Sequence, residues 1–328
     1  MIVTKTPLRV SFFSGGSDMP SFYTKEPGAA LSATIDKYIY VSVHKTPRIG
    51  IKVMYDEVEK FNDVEEMHQS ITSESLKYFS IHNECTISSV SDILSKGSGL
   101  GSSSAFTVGL VNALAHMRNV DNVTREYLAN TACDIEMNKC EYPVGKQDQY
   151  AAAYGGFNLF KFDVTGNVTS QNVAIDRSTW KNLESRLLLV YSGVGRSANG
   201  ILQKQQSAMN DKSKFDLVRL SRDKAIVGTR YLMESRLDDF GSLLHDAWMD
   251  KKEVAADITN ERFDMIYNEA MASGSLGGKL LGAGGGGFFL FYAPPDKIDS
   301  VADNVTRFGC KVYPFKFTDT GSRVVASC

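Results

Sequence analysis

Residues 97–105 read GSGLGSSSA: Gly97, Gly99 and Gly101 alternate with Ser98 and Leu100, and Ser102, Ser103 and Ser104 follow directly. Behind them Phe106, Leu110, Leu114 and Met117 recur at steps of four, four and three, which is one face of a helix. Glycines let several backbone N–H groups turn toward one point, and the helix N-terminus adds the positive end of its dipole, so the pair favours a phosphate. The hydroxyls of Ser102, Ser103 and Ser104 could add a magnesium ligand or further hydrogen bonds. The same residues would also serve as a tight surface turn capped by serine. Two carboxylates stand downstream. Over residues 125–138, Leu128, Ala132 and Glu136 fall at i, i+4 and i+8, so a carboxylate ends the stripe that faces the core. Burying an unpaired charge is unfavourable on the order of several kcal/mol, so an inward Glu136 is expected to meet a cation; the alternative is a glutamate turned outward at a helix end. Asp148 lies between Gln147 and Gln149 ahead of a small-residue segment, where it can be a general base or an N-cap.

Other nucleotide signatures fail. A Walker A loop requires G-x-x-x-x-G-K and then Ser or Thr; around Gly278 and Lys279 the first glycine is Ser273 and the last position is Leu280. GVGRSA at 193–198 spells a Rossmann fingerprint, yet polar helical residues follow where a second strand with a terminal acid is required. Asp239, Phe240 and Gly241 spell D-F-G without the other protein-kinase elements, and read as a turn between helices. The 36 basic and 38 acidic residues give a net charge of −2 with no basic run, so no nucleic-acid partner is expected. No apolar stretch has the length of a membrane span or secretory signal, so no membrane partner and a cytoplasmic location are expected. The five cysteines, Cys85, Cys133, Cys140, Cys310 and Cys328, form no C-x-x-C pair, and no two histidines have helical ligand spacing. They read as reduced packing thiols, with no His-based metal site.

The elements that must position these groups follow from hydropathy. Residues 8–13 read as a strand; KYIYVSVHK (37–45) and IGIKVMY (49–55) read as a strand pair across the turn at 46–48. A helix is predicted over 63–80 and extended chain over 84–90. Thr124 is the predicted N-cap of a helix through about Asn138. Strands are predicted at 155–164 and 186–192, helices across 214–272 with breaks near Asp238 and Asp257, then strand, helix and strand over 287–293, 294–309 and 311–317. Strands and helices mix without strict alternation, which predicts an α+β chain of two domains whose boundary falls in the polar stretch 165–181.

Three segments, in order, resemble motifs of the GHMP kinases, the family of galactokinase, homoserine kinase, mevalonate kinase and phosphomevalonate kinase. TPLRVSFFSGGSDMPSFY near the N-terminus is similar to the family's substrate-binding segment, GSGLGSSSA to its phosphate loop, and LGAGGGGFFLF (281–291) to its C-terminal glycine-rich motif. Within the family GGSDMPSFY, LSATIDKYIYVSVH, GKQDQYAAAYGGFN and SGVGRSANGIL resemble the D-glycero-D-manno-heptose 7-phosphate kinase branch. Ser14 stands where that branch frequently has glycine, Ser17 where threonine is frequent, and Ser104 where alanine is usual.

The resemblance implies a two-domain α+β GHMP kinase fold. Residues 1–178 would form an N-terminal β/α domain with a left-handed βαβ unit, and residues 179–328 a ferredoxin-like C-terminal domain. ATP with Mg2+ would bind between them, its phosphates on Gly97, Ser98, Gly99, Leu100, Gly101, Ser102, Ser103 and Ser104. Ser103 and Glu136 would hold the metal, Asp148 would be the base or orienting carboxylate, and Arg9 beside it would stabilise the transferring phosphoryl group. Ser17 and Asp18 would hydrogen-bond sugar hydroxyls, and Gly284, Gly285, Gly286 and Gly287 would line the site. The reaction implied is phosphorylation of the anomeric hydroxyl of D-glycero-D-manno-heptose 7-phosphate to the 1,7-bisphosphate, in nucleotide-activated heptose biosynthesis. A 7-phosphate demands cations, for which Lys5, Lys37, Lys146 and above all Arg196 are the candidates. The partners expected are ATP and a sugar phosphate, with a homodimer as one assembly the sequence allows. The competing readings are a family kinase for fucose or a hexose, a catalytically silent sensor of sugar and nucleotide, and, more distantly, a nicotinamide dehydrogenase built on GVGRSA.

Overall fold

The N-terminal apolar run folds as β1 (Ile2–Phe13), buried almost throughout from Leu8 onward, and the short α1 (Pro20–Tyr23) follows it. The structure is a computed structural model and describes residues 1–13, 15–47, 50–93, 97–195 and 199–327. The chain continues through β2 (Gly28–Lys45), β3 (Ile51–Met54), β4 (Val58–Phe61), α2 (Ile71–Tyr78), β5 (Cys85–Ser91), α3 (Ser102–Met117) and α4 (Arg125–Cys133). A π-helical stretch, Asp134–Lys139, extends α4 and is followed by α5 (Gln147–Tyr154), β6 (Phe157–Phe162), β7 (Val168–Asn172) and α6 (Arg177–Glu184). The second half runs β8 (Leu187–Tyr191), α7 (Asn199–Ala208), α8 (Lys212–Met233), α9 (Leu237–Val254), α10 (Glu261–Ala272), β9 (Gly277–Leu280), β10 (Phe288–Tyr292), α11 (Ile298–Thr306), β11 (Lys311–Tyr313) and β12 (Arg323–Ser327). Thr124 caps α4 as expected, accepting from the Tyr127 N–H at 3.0 Å.

Eight strands make the first sheet in the order β12-β1-β2-β5-β3-β4, with β6 on β2 and β7 on β6. The strand pair expected from 37–45 and 49–55 does not form: β5 lies between β2 and β3, antiparallel to the first and parallel to the second. β5 matches β2 over a long register (Ile39 opposite Ser91 to Lys45 opposite Cys85), whereas the four-residue β3 closes its own hairpin with β4. Proximity in the chain therefore loses to the longer ladder. The final strand, β12, returns from the chain's end to pair with β1, Ile2 opposite Ser327. Helix α3 crosses the sheet at Gly109, where an added Cβ would lie 2.8 Å from Thr6 Oγ1; Thr4 Oγ1 donates to the Gly109 carbonyl at 2.9 Å.

The second sheet is antiparallel, β11-β8-β10-β9, and its chain order of strand, helices, strand, strand, helix, strand is the ferredoxin-like arrangement. Asp239, Phe240 and Gly241 are helical, in the first turns of α9, and not a turn between helices. Gly241 lets α9 lie on β10, since a Cβ there would come within 2.3 Å of the Tyr292 ring. The four described cysteines, Cys85, Cys133, Cys140 and Cys310, are buried and free; Cys328 lies outside the described residues. No helix among the described residues is long and apolar enough to cross a membrane.

The halves share one core. Phe240 of α9 meets the rings of Phe12 and Phe13 of β1 edge-on, at centroid distances of 5.1 and 5.4 Å, and all three side chains are fully buried. Truncating Phe240 to Ala is expected to lower the unfolding free energy by about 3–5 kcal/mol. Denaturant melts at fixed m would check this; a loss below about 1 kcal/mol would show that the two halves are not joined through this ring.

Candidate active site

The phosphate loop takes its shape from Gly97, Gly99 and Gly101, at φ +67°, +75° and +72°. Gly101 is the N-cap of α3 and no side chain caps that helix, so its first N–H groups face the cleft side of the loop. Leu100 is an anchor: its side chain is buried and its carbonyl accepts the Arg9 N–H at 3.0 Å. Ser98 is equally enclosed, its hydroxyl accepting the Leu100 N–H at 3.3 Å and lying 3.1 Å from Ser102 Oγ. The C-terminal glycine motif supports this loop from behind. A Cβ on Gly99 would fall 2.6 Å from the Leu281 carbonyl, one on Gly282 would fall 2.6 Å from Gly99 Cα, and Phe288 N–H donates to the Ser98 carbonyl at 3.0 Å.

Beside the loop Arg9 and Asp148 form a fork. Arg9 Nε donates to Asp148 Oδ1 at 2.8 Å and Nη2 to Oδ2 at 2.5 Å, while Nη1 reaches the Gly99 carbonyl at 2.7 Å. The N-cap reading of Asp148 does not hold; it sits inside the first turn of α5, with Lys146 at the cap position. Glu136 enters on the π-helical stretch and is completely buried. Its Oε2 accepts from Ser104 Oγ at 3.0 Å and Gln149 Nε2 at 2.9 Å, and its Oε1 has no partner. The cation expected at this carboxylate is therefore replaced on one oxygen by two neutral donors. Burial raises its pKa from 4.5 to about 7, opposed by Thr107, Ser104 and Gln149, with the charge of Asp148 adding to the rise.

These groups line a cleft of about 1790 Å3 that also receives Ser103, Ser11, Gly15, Gly16, Asp18 and Gln147. Its lining also includes the apolar and aromatic Tyr55, Val90, Ile93, Phe106 and Tyr142. Asp18 lines the cleft too, its Oδ2 accepting the Gln147 N–H at 3.2 Å. Ser17 does not share that role: it is fully buried, donates to the Ala29 carbonyl at 2.8 Å and does not line the cleft. Ser104, expected on phosphate, points its hydroxyl at Glu136. Gly284, Gly285 and Gly286 are buried outside the lining, where Gly285 N–H donates to the Ile258 carbonyl at 2.9 Å; Gly282 and Ala283 line the cleft in their place.

Three of the lysines expected to meet a second phosphate lie elsewhere. Lys5 stacks on Tyr38 at 3.8 Å, Lys37 pairs with Asp36 at 3.1 Å, and Lys146 donates to the Gly166 carbonyl. Arg196, like Ser14, lies outside the described residues. Two lysines that sequence reasoning passed over, Lys251 and Lys279, line the cleft instead. A signal for Lys251 existed: it continues the buried stripe Leu237, Phe240, Leu244, Ala247, Trp248 along α9.

No group of three or more His, Cys, Asp or Glu side chains among the described residues could hold a metal by itself. A hard divalent cation shared with nucleotide phosphates asks for less, and the unpartnered Glu136 Oε1 with the exposed Ser103 hydroxyl fits that demand.

A family model of the GHMP kinases N-terminal domain matches residues 64–156, and one of the GHMP kinases C-terminal domain matches residues 229–310, together more than half of the chain. The D-glycero-alpha-D-manno-heptose 7-phosphate kinase of Campylobacter jejuni is 29% identical over 98% of this chain and 97% of its own. A bifunctional fucokinase/GDP-fucose pyrophosphorylase of Arabidopsis thaliana is 26% identical over 88% of this chain and 29% of its own, longer, sequence. The crystal structure of a D-glycero-D-manno-heptose 1-phosphate kinase from Bacteriodes thetaiotaomicron has the same fold, with a TM-score of 0.80 at 24% identity and full coverage of both chains. With both domain models matched in order and the fold shared from end to end, the chain belongs to the GHMP kinases, a family of ATP-dependent phosphotransferases.

Proposed function

We propose that this protein is a cytoplasmic sugar 1-kinase that transfers the terminal phosphoryl group of ATP to the anomeric hydroxyl of D-glycero-D-manno-heptose 7-phosphate. The observation that carries the reading is the Arg9–Asp148 fork, tied by Arg9 Nη1 to the phosphate loop and set in the cleft beside the open oxygen of Glu136. The similarity to the Campylobacter jejuni heptose 7-phosphate kinase along nearly the whole chain supports the acceptor. We take 1–178 and 179–328 as the two units that meet around this cleft, with β12 of the second segment completing the first sheet.

On this reading the loop N–H groups and the α3 N-terminus cradle the phosphates, and the apolar lining around Tyr55 and Phe106 receives the adenine. Mg2+, held by Glu136 and Ser103 together with the phosphates, would neutralise charge on them. Asp18 orients sugar hydroxyls. Asp148 keeps lone pairs outside its fork with Arg9, and it accepts the hydrogen bond of the attacking hydroxyl. The hydroxyl oxygen bonds to the γ-phosphorus, the bond to the bridging oxygen breaks, ADP leaves, and the hydroxyl proton passes to Asp148. Arg9 faces the charge on the equatorial oxygens. An anomeric hydroxyl is more acidic than an ordinary alcohol, so a carboxylate is an adequate base.

ADP release measured with ATP and Mg2+ over D-glycero-D-manno-heptose 7-phosphate, mannose 6-phosphate, mannose, galactose and fucose tests the acceptor. Turnover confined to the heptose phosphate is expected; turnover of fucose or another unphosphorylated sugar alone would keep the kinase and discard the acceptor. Asp148→Asn should lower kcat about 10²–10⁴-fold with its melting cooperative, and unchanged turnover would remove Asp148 from the chemistry.

Glu136 supplies a pH test. Its carboxyl titrates at about 7 when folded against an ordinary 4.5, so the folded protein binds the extra proton between those values. Stability of the metal-free protein therefore falls as pH rises through that window, and the loss is complete above about 7. Glu136→Gln is expected to melt higher than the parent at pH 8 without Mg2+, with the gap closing toward pH 4.5, and to lose most Mg2+-dependent turnover. In the parent, the Mg2+ concentration for half-maximal rate should rise as pH falls through 7. A flat Mg2+ requirement from pH 6 to 8 would remove Glu136 from the metal.

A further inference from the structure

Two ammonium groups in the cleft wall have no part in the transfer derived above. Lys251 on α9 donates from Nζ to the carbonyls of Leu280 (2.9 Å) and Gly282 (2.6 Å), and Lys279 on β9 donates to the carbonyl of Phe12 (2.8 Å). They are 7% and 5% exposed, and neither has a carboxylate partner among the described residues. The nearby guanidinium of Arg9 is already matched by Asp148. Carbonyl oxygens satisfy hydrogen bonds but do not neutralise charge, so the wall holds two buried amino groups with no counter-charge, where buried charges normally come paired.

We propose that Lys251 and Lys279 form the subsite for a second phosphate on the acceptor sugar, a dianion remote from the hydroxyl that reacts. The proposal rests on the sugar-kinase reading above. The ATP phosphates already have the loop N–H groups, the α3 N-terminus and Arg9. Lys251 adjoins the phosphate loop through the Gly282 carbonyl, whereas Lys279 is fastened to Phe12, just ahead of the segment in which Gly15, Gly16 and Asp18 line the cleft. The donor inventory also fits. An ammonium has three N–H bonds, so Lys251 keeps one and Lys279 two for the oxygens of a phosphate. Burial, and then Arg9, depress the pKa of Lys251 to about 7; Lys279 is pushed well below its ordinary value, by burial first and then by Lys251 and Arg9. A bound dianion is what would hold both in the charged form.

The test compares D-glycero-D-manno-heptose 7-phosphate with the same heptose lacking the phosphate, in the parent, Lys251→Met and Lys279→Met. Each substitution should raise KM for the phosphorylated sugar about ten- to a hundredfold and lower its kcat/KM advantage over the unphosphorylated sugar by a similar factor. KM for ATP should stay within about twofold. Methionine keeps volume and removes a buried charge, so melting should not fall; Lys251→Gln and Lys279→Gln, which keep a donor for the carbonyls, replace any Met variant that does not fold. An unaltered preference for the phosphorylated sugar would overturn the subsite, and so would a parallel rise in KM for ATP, which would assign the lysines to the nucleotide. The parent separates the two readings. If it used mannose 6-phosphate instead, the heptose would fall and the same comparison with mannose would still decide the subsite. If it used only unphosphorylated sugars, both would fall.

Discussion

The site depends on a contact between two glycines. Gly99 and Gly282 approach so closely that a methyl group on either would collide with backbone of the other's segment, and both hold φ values that L side chains rarely adopt. Functional groups on both segments are fastened to that contact. The Gly99 carbonyl takes Arg9, and through Arg9 fixes Asp148; the Gly282 carbonyl takes Lys251. One backbone junction thus fixes Arg9 with Asp148 on one segment and Lys251 on the other.

Around this junction the protein collects charges that its interior disfavours. Glu136 is buried with one open oxygen, and Lys251 and Lys279 are buried without counter-charges. A stable core would have none of them, since hydrophobic residues of similar volume are commonly as stable or more so. Their placement in one cleft is the local departure from core-building rules that marks a working site. The signs are sorted: the carboxylate beside the phosphate loop suits a cation accompanying phosphates, and the ammonium groups on the α9 and β9 wall suit an anion.

Legibility followed the range of the forces involved. Local signals were the readable ones: the α3 stripe and the Thr124 cap needed only neighbours within a few residues, while the glycine loop and Glu136 each left a second reading that the structure decides only for Glu136, which is buried. Long-range pairing was not readable, which is why β5 could displace the expected pairing of β2 and β3, and why β12 on β1 went unread. Side-chain direction inside a motif was equally hidden. Ser17 and Asp18 are neighbours, yet one hydroxyl binds the Ala29 backbone while the other side chain lines the cleft. The C-terminal glycines illustrate the same limit: their composition points to close backbone approach, but Gly284 approaches Ile258 and only Gly282 reaches the phosphate loop. The lysine in the α9 stripe was visible by the same periodicity that exposed Glu136. Lys279 was harder, being a single cation inside a short glycine-rich strand, and became legible only once β9 was placed against the cleft.

Ser104 shows how a small change can serve the site without touching substrate. Its hydroxyl and the Gln149 amide both engage Oε2 of Glu136, so that oxygen is filled and the carboxylate plane is fixed. Alanine at this position would leave one donor and a carboxylate freer to rotate. With serine two hydrogen bonds converge on one oxygen and leave the other open. The same logic governs selectivity on the opposite wall. A second phosphate would supply the counter-charge that both buried amino groups lack, and an acceptor without one forgoes that pairing. Selection by an unmet charge needs burial, and Lys251 and Lys279 owe theirs to the packing of α9 and β9 that brings Gly282 against Gly99.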